Sequence, residues 1–302
     1  MNRALKILLI AATCLLIFGI LLTAGSAIAI RATGQHRNSN AQAIPRHAEV
    51  GSIQTLSLSL ISEPIYLRRG GDSVIIEWSE LHEDQYMITK TEGQSLSLSR
   101  TPQGIGWFGG SWNWNLFNPR LGFLGIDRAS LRPVTVTIPD GMSLRNVDLS
   151  GANIRVNADD IEALEIDISG ANVNAIITNV EVQEFSISGA NASAALDNIS
   201  AQTISISGAN ADAVLSDTQA HDIEVSGANA TVIFNNISAN SIDVRGANAE
   251  ATMNLSSTDD WGFSVSGVRA DLRIDGQRST GFNGSNNISV SGANASLNVW
   301  TR

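Results

Sequence analysis

A four-residue motif, Ser-Gly-Ala-Asn, recurs at a fixed interval along the second half of the chain and limits the possible folds more than any other feature. Its glycine returns every 19 residues from Gly151 to Gly246, and then after 21 and 25 residues, at Gly267 and Gly292. A repeat of this length is typical of solenoids and other arrays of stacked units. The motif begins at residues 150, 169, 188, 207, 226 and 291, with degenerate copies at 245 and 266.

Apolar and polar residues alternate in two segments of each copy. With the motif serine as position 1, apolar or small residues stand at positions 5, 7 and 9 and again at positions 17 and 19. This alternation predicts two short strands, each with one face turned inward. Copies stacked in parallel about 4.8 Å apart would form an all-β, parallel β-solenoid. Because parallel crossovers are nearly always right-handed, a right-handed coil resembling a β-helix is expected.

Glycine at position 2 and asparagine at position 4 are interpreted as the corner between consecutive strands. Glycine is expected to supply a positive φ at this bend, and the stacked asparagines are expected to form a hydrogen-bonded ladder along the solenoid. Such a ladder has a structural role and needs no ligand. Arg269 replaces the asparagine in one degenerate copy and is expected to interrupt the ladder.

The N-terminus carries a long apolar segment that predicts a membrane anchor. Residues 7–30 contain no charged side chain, and as a helix they would extend about 36 Å, enough to cross the hydrocarbon layer of a bilayer. We expect a cytoplasmic tail and transmembrane helix over 1–31, or a signal segment, cleaved or uncleaved, in the same place. A flexible polar stalk is expected over 32–49. The rest of the chain would then lie on the extracytoplasmic side, as in a single-pass protein of the cell membrane.

The β-strand-repeat solenoid domain is predicted over 50–302. Its first part, 50–140, contains strands of irregular spacing, such as the strictly alternating segment at 53–60. Its second part, 141–302, contains the regular copies. Both parts are assigned to this one domain.

Aromatic and polar segments outside the regular copies are candidate caps or binding loops. Trp107, Trp112 and Trp114 lie in a glycine-rich loop that either caps the solenoid or presents an aromatic surface to a glycan, a partner or the membrane interface. The polar insertion after Asp275 is expected to leave the stack as a loop. Trp300 is expected to cover the open end of the solenoid.

Charge and residue types exclude several function classes. The net charge of −10 argues against nucleic-acid binding. The single cysteine, Cys14, excludes a disulfide framework and a cysteine-based metal site. No spacing typical of metal ligands, a cofactor loop or a catalytic constellation is present, so we expect neither a cofactor nor an enzyme.

Acidic residues also stack in the outward columns. Glu224 and Asp243 share position 18 of adjacent copies, and they are weak candidates for a binding site. The alternatives are a solvated acidic face, weak cation binding, or the acid pair of a glycan-active β-helix enzyme. A second acidic set contains Glu165, Asp167 and Glu184.

Taken together, these segments resemble a family of bacterial putative-adhesin domains built from β-strand repeats and related to the heads of autotransporter adhesins. The resemblance rests on Leu-Ser-Leu-Ser-Leu at 56–60, Ser-Leu-Ser-Leu-Ser at 95–99, Val-Thr-Val-Thr-Ile-Pro-Asp-Gly at 134–141 and the motif copies that follow. It covers roughly residues 52–302. It implies a surface-exposed β-solenoid, commonly behind a membrane anchor, without an established enzymatic activity.

The function expected from the sequence is that of a membrane-anchored, extracytoplasmic adhesin or surface-binding module. Its partner would be an envelope polymer, a cell surface or another protein. An alternative is an envelope-stress sensing or regulatory module that is coupled to a membrane partner through the anchor. A glycan-active β-helix enzyme is the third interpretation.

Overall fold

The computed structural model describes residues 43–80, 85–101, 132–256, 260–281 and 283–301. The predicted anchor, the first part of the predicted stalk and the three tryptophans Trp107, Trp112 and Trp114 lie outside these residues. Among the described residues there is no helix with the length and apolar character that a membrane crossing requires.

The described residues form an all-β structure in which fifteen strands join one sheet. Three long strands contain the regular copies, and shorter strands lie on either side of them in space. The strands are β1 (Ile44–Val50), β2 (Thr55–Leu60), β3 (Pro64–Arg69), β4 (Val74–Glu80), β5 (Tyr86–Thr91), β6 (Ser95–Arg100), β7 (Val134–Ile138), β8 (Leu144–Ser216), β9 (Gln219–Asn235), β10 (Ser238–Leu255), β11 (Trp261–Ser266), β12 (Arg269–Ile274), β13 (Gln277–Arg278), β14 (Asn286–Ser291) and β15 (Asn294–Thr301).

The long strand β8 coils and stacks on itself. It covers 73 residues without a break, and side chains 19 residues apart are hydrogen-bonded, as Asn172 is to Asn153. β9 and β10 continue the coil, with Ile223 paired in parallel to Ile204 on one side and to Ile242 on the other. The predicted solenoid of parallel 19-residue rungs is confirmed, and the hand of the coil stays a prediction.

Each rung has three inward-facing segments, whereas the sequence predicted two. Side chains at positions 12 and 14 are buried in addition to those at positions 5, 7, 9, 17 and 19. The third segment has only two inward residues, and the second of them is usually alanine, so the segment is hard to recognise in the sequence. Its buried members are Ile161, Ala163, Val180, Val182, Ile199, Thr218, Ala220, Ile237 and Ala239.

The left-handed backbone lies at position 11 of the rung and not at the motif glycine. Five residues at this position have φ between 46° and 56°. Asparagine and aspartate tolerate this conformation better than other residues that have a side chain, so the rung turns at an Asx corner. The five are Asp160, Asn179, Asn198, Asp217 and Asn236.

The motif glycines are needed for space. A Cβ atom at Gly189 would lie 2.6 Å from the carbonyl oxygen of Gly170 in the preceding rung, a distance that real Cβ atoms do not show. The motif glycines from Gly151 to Gly246 are not among the residues with positive φ. The prediction that they supply a positive φ is therefore wrong, because the close approach of stacked corners, and not the bend, excludes a side chain.

The last two rungs of the chain exchange their order in space. β10 pairs in parallel with β14 and β15, and these strands pair in turn with β11 and β12. The C-terminal rung is therefore inserted between β10 and the rung that precedes it in sequence. Asn294 follows Asn248 directly in the ladder, and Arg269 lies beyond it in the outermost rung. The expected interruption of the ladder at Arg269 is wrong for this reason.

The insertion after Asp275 covers the end of the stack. β12 turns back into β13 as an antiparallel hairpin, and the backbone N–H of Ser279 donates to the carbonyl oxygen of Leu272 at 3.0 Å. The chain crosses the outer rung here because the next strand, β14, lies in the rung on the inner side of it. The insertion was predicted to leave the stack, and that prediction is wrong. The prediction that Trp300 covers the open end is also wrong. Trp300 is 46% exposed on the inserted strand β15.

At the opposite end of the stack, one rung is again inserted out of sequence order. β2 and β3 stack in parallel on the first rung of β8, and β6 and β7 stack on them in turn. The antiparallel strands β5, β4 and β1 complete this end. β1 buries Ala48 and Val50, so the prediction of a flexible stalk up to residue 49 is wrong for residues 44–49.

A buried carboxylate joins three segments at this end. Glu63 is 2% exposed and accepts hydrogen bonds from the backbone N–H groups of Ile61 and Ser62, from the Tyr86 hydroxyl at 2.6 Å and from Arg100 at 2.9 Å. Burial raises the pKa of Glu63, but the hydrogen bonds and the charge of Arg100 outweigh burial and lower it overall. Burial, followed by the charge of Glu63, raises the pKa of Tyr86.

Candidate functional site

The outer surface of the stacked rungs is the candidate site, because the inward side chains fill the interior with one continuous apolar core. The register holds each outward position in line with the same position of the next rung, as Asp212 is with Thr231 and Thr231 with Glu250. Outward side chains therefore form columns that run along the stack. A column that keeps one residue type offers a partner the same contact at intervals of about 4.8 Å.

The asparagine ladder at position 4 is a uniform polar column. Each Nδ2 donates to the Oδ1 of the preceding rung at 2.7 or 2.8 Å, through six consecutive bonds. At one end Asn153 donates to the Ser62 hydroxyl, and at the other end Asn294 lies opposite Arg269. All amides point the same way along the stack. The ladder members are Asn153, Asn172, Asn191, Asn210, Asn229, Asn248 and Asn294.

The predicted acidic pair is brought together but is not free. Glu224 and Asp243 lie opposite each other on adjacent rungs. Arg245 donates to Glu224 Oε1 at 3.0 Å and to Asp243 Oδ2, which joins the two carboxylates into one ion-pair cluster. The hydrogen bond to Asp243 and the charge of that residue raise the pKa of Arg245. Sequence reasoning missed this role of Arg245, although its replacement of the motif serine was a visible signal.

Two further features belong to the surroundings of this cluster: an oxygen of Asp243 and a neighbouring contact of Asp222. The second oxygen of Asp243, Oδ1, is buried and has no hydrogen-bond partner among the described residues. On the neighbouring corner, His221 Nδ1 lies 2.8 Å from Asp222 Oδ2. Asp222 therefore has a partner of its own. The acidic residues here do not surround a common site that a ligand could occupy.

The second acidic set borders a shallow depression of about 270 Å³. Its lining includes Glu165 and Glu184, and Asn146 Nδ2 donates to Glu165 Oε2 at 2.7 Å. Burial and the charge of Asp167 raise the pKa of nearby Asp148, in spite of a hydrogen bond with Ser57. Within the described part of the chain, no group of three or more His, Cys, Asp or Glu side chains could hold a metal ion.

Sequence reasoning also missed an exposed apolar column at position 8. Ile176, Val214 and Ile233 are 48%, 40% and 38% exposed, and Ala195 lies between the first two on the rung that separates them. The signal was available, because these residues fall at an outward position between inward neighbours. Adjacent β-branched residues obscured it, since they make the outward side chains look like part of a longer apolar segment.

The repeated rungs and the strands that flank them lie within a segment that matches one protein family. The sequence profile of the Toastrack DUF4097 family matches residues 53–299. The chain belongs to this family. The resemblance to bacterial adhesin-type repeat domains, which was drawn from the motif copies, is thereby confirmed.

Two solved structures are similar to this member of the Toastrack family. One is a putative cell adhesion protein from Clostridium sporogenes, with 11% identity, a TM-score of 0.29 and coverage of 86% of this chain and 100% of that chain. The other is a putative adhesin from Bacteroides fragilis, with 10% identity, a TM-score of 0.33 and coverage of 86% of this chain and 97% of that chain. TM-scores this low carry no argument about function. No curated protein matches the sequence.

Proposed function

We propose that this Toastrack protein is an extracytoplasmic surface-binding module of the adhesin type, held at the cell membrane by its N-terminal segment. The observation that carries the proposal is the register, which lines up identical outward groups on consecutive rungs, as in the asparagine ladder. Contacts at a constant spacing suit a partner that repeats, such as an envelope polymer or a glycan-covered cell surface. Weak contacts of this kind sum through effective concentration.

The module is proposed to act by binding alone, without a cofactor. Glycoside hydrolysis needs one carboxyl group that exchanges a proton with the substrate and a second that faces the sugar. Arg245 contacts both Glu224 and Asp243, so neither carboxyl group is free for one of these roles. We expect no turnover of a panel of envelope polysaccharides. Turnover that disappears in Asp243→Asn would overturn this part of the proposal.

A series of rung-number variants tests the binding function. Removal of residues 188–225 deletes two whole rungs and joins Ile187 to Ser226 in the same phase, and duplication of the same segment adds two rungs. Binding of the three proteins to purified envelope polymer and to whole cells is measured at equal concentrations. We expect affinity to increase with rung number, by about tenfold or more across the series, because each rung adds contacts to the same partner.

Two results would contradict the proposal. Equal binding by all three proteins would place the contact outside the stacked rungs, and no binding to any surface would exclude an adhesin role. Exchange of residues 1–31 for an unrelated membrane anchor distinguishes the adhesin function from the sensing function. An adhesin keeps its binding after this exchange, whereas a sensor that signals through its own anchor loses its cellular response.

A further inference from the structure

One outward face of the solenoid has a composition that differs from the others. It contains the residues at positions 6, 8 and 10 of each rung, and we call it the 6–10 face. Positions 5, 7 and 9 are buried, so the side chains at 6 and 8 point to solvent on the same surface. The apolar column of Ile176, Ala195, Val214 and Ile233 runs through the middle of this face.

A continuous apolar column is unusual on an outward sheet face. Single exposed apolar residues are common on soluble proteins, but contiguous ones mark interaction sites. Ile176, Ala195, Val214 and Ile233 occupy four consecutive rungs, which gives a stripe about 14 Å long at the spacing of stacked strands. Position 8 is asparagine in the rung before this stripe, at Asn157, and threonine or asparagine in the two rungs beyond it.

Opposite charges flank this stripe along the stack. At position 6, Arg155 lies one rung before Ile176, and Glu250 lies one rung beyond Ile233. Both side chains are exposed, and neither takes part in an ion pair within the described residues. The stripe therefore has a positive charge at one end and a negative charge at the other in the position-6 column, and the exposed Asp159, Asp197 and Asp212 lie beside it on the same face.

We propose that the 6–10 face binds a second copy of this chain in an antiparallel, two-fold symmetric dimer. A two-fold axis parallel to the strands and midway between the rungs of Ala195 and Val214 reverses the order of the rungs. It places Arg155 against Glu250 of the partner subunit, and this ion pair occurs twice. It also places Ile176 against Ile233 of the partner subunit. In the centre, the small Ala195 faces the larger Val214 of the partner subunit.

The same axis gives a partner to the exposed tryptophan. Trp300 occupies position 10 of the inserted rung, next to Asn254. Arg68 lies at the other end of the face, one residue after Leu67, which pairs with Ala158 at position 9. The two-fold axis pairs these two rungs, so the Arg68 guanidinium would stack on Trp300 of the partner subunit. The apolar, charged and aromatic groups of the face are thus complementary under a single symmetry operation.

The size of the face indicates a weak dimer. Eight rungs at about 4.8 Å and five residues at about 3.3 Å give roughly 600 Å² for each copy. Stable interfaces bury about 800 Å² per partner, so association is expected to depend on concentration. The antiparallel sense puts the two N-terminal ends at opposite ends of the dimer, which suits copies anchored on facing membranes. Dimerisation itself goes beyond the proposed function and does not rest on it.

A charge-exchange experiment tests the pairing. In Arg155→Glu both inter-subunit pairs become Glu–Glu, and in Glu250→Arg both become Arg–Arg. Each variant alone should therefore dimerise at least about tenfold more weakly than the wild type. An equimolar mixture of the two variants restores both opposite-charge pairs and should associate as well as the wild type. The double variant should also recover, because its pairs are inverted but still opposite.

The full chain is used in detergent micelles, and association is measured by sedimentation and by energy transfer between differently labelled copies. Arg145→Glu and Glu181→Arg are matched controls, because they make the same charge changes at exposed positions outside the 6–10 face. Rescue in the mixture with unchanged controls supports the proposal. A wild type that shows no transfer between copies up to the highest soluble concentration would overturn it. Single variants that associate like the wild type, or that stay dissociated when mixed, would also overturn it.

Discussion

Replacement of Asn210 by leucine tests the ladder at its middle. Asn210 donates to Asn191 at 2.7 Å and accepts from Asn229 at 2.8 Å, so the change removes two hydrogen bonds. One such bond contributes about 0.5–1.5 kcal/mol net. For two bonds this gives about 1–3 kcal/mol. These side chains are exposed, and water can satisfy the groups left behind. We therefore expect the lower half of that range, a loss of about 1–2 kcal/mol in the free energy of unfolding.

Urea denaturation followed by circular dichroism measures this loss for the Asn210→Leu variant. Stacked repeats can open in parts, so amide hydrogen exchange at residues 209–211 and in the neighbouring corners should report the same loss locally. Asn240→Leu is the matched control, because Asn240 is also exposed and its side chain makes no hydrogen bond with the described residues. The control should change stability by less than about 0.5 kcal/mol. Equal stability of the two variants would refute the ladder as a source of stability.

Two further predictions concern stability. Glu63→Ala leaves Arg100 and Tyr86 without their buried acceptor and should lower the free energy of unfolding by about 3 kcal/mol. The pKa of Glu63 is lower in the folded state than its ordinary 4.5. The part of this difference that depends on the ionised carboxylate should therefore be complete above that pH and be lost as the pH falls through the folded-state pKa, which urea midpoints at several pH values would show. Gly189→Ala should destabilise by about 1–3 kcal/mol through the clash with Gly170, whereas Ala190→Ser at the exposed neighbouring position should not. Equal thermal midpoints for these two variants would contradict the close approach of the corners.

The regular part of the fold could be predicted from the sequence because its information is local and repeated. Six copies of one pattern identify the inward positions 5, 7, 9, 17 and 19 without any knowledge of the rest of the chain. The corner geometry was less accessible, because glycine can mean either a positive φ or a close approach. Only the structure distinguishes Gly189, which lacks room for a Cβ, from Asn198, which takes the left-handed conformation.

The ends of the stack could not be predicted, because their order depends on contacts between distant residues. Consecutive segments usually lie side by side, and this rule places the rung of Arg269 before the rung of Asn294. The structure reverses them, which keeps the asparagines adjacent and puts the irregular rung on the outside. Of the candidate site, the sequence placed Glu224 and Asp243 together, but it did not predict that Arg245 bridges them.

The most direct test of a surface-binding function determines on which side of the cell membrane the rungs lie. Cys14 is the only native cysteine, so Cys14→Ser combined with Ala190→Cys gives a chain with one thiol at an exposed corner of the stack. Cells with an intact cell membrane are treated with a maleimide that cannot cross it, and lysed cells serve as the reference. An extracytoplasmic stack should be labelled equally in intact and lysed cells. Labelling only after lysis would place the stack in the cytoplasm and contradict a surface-binding function.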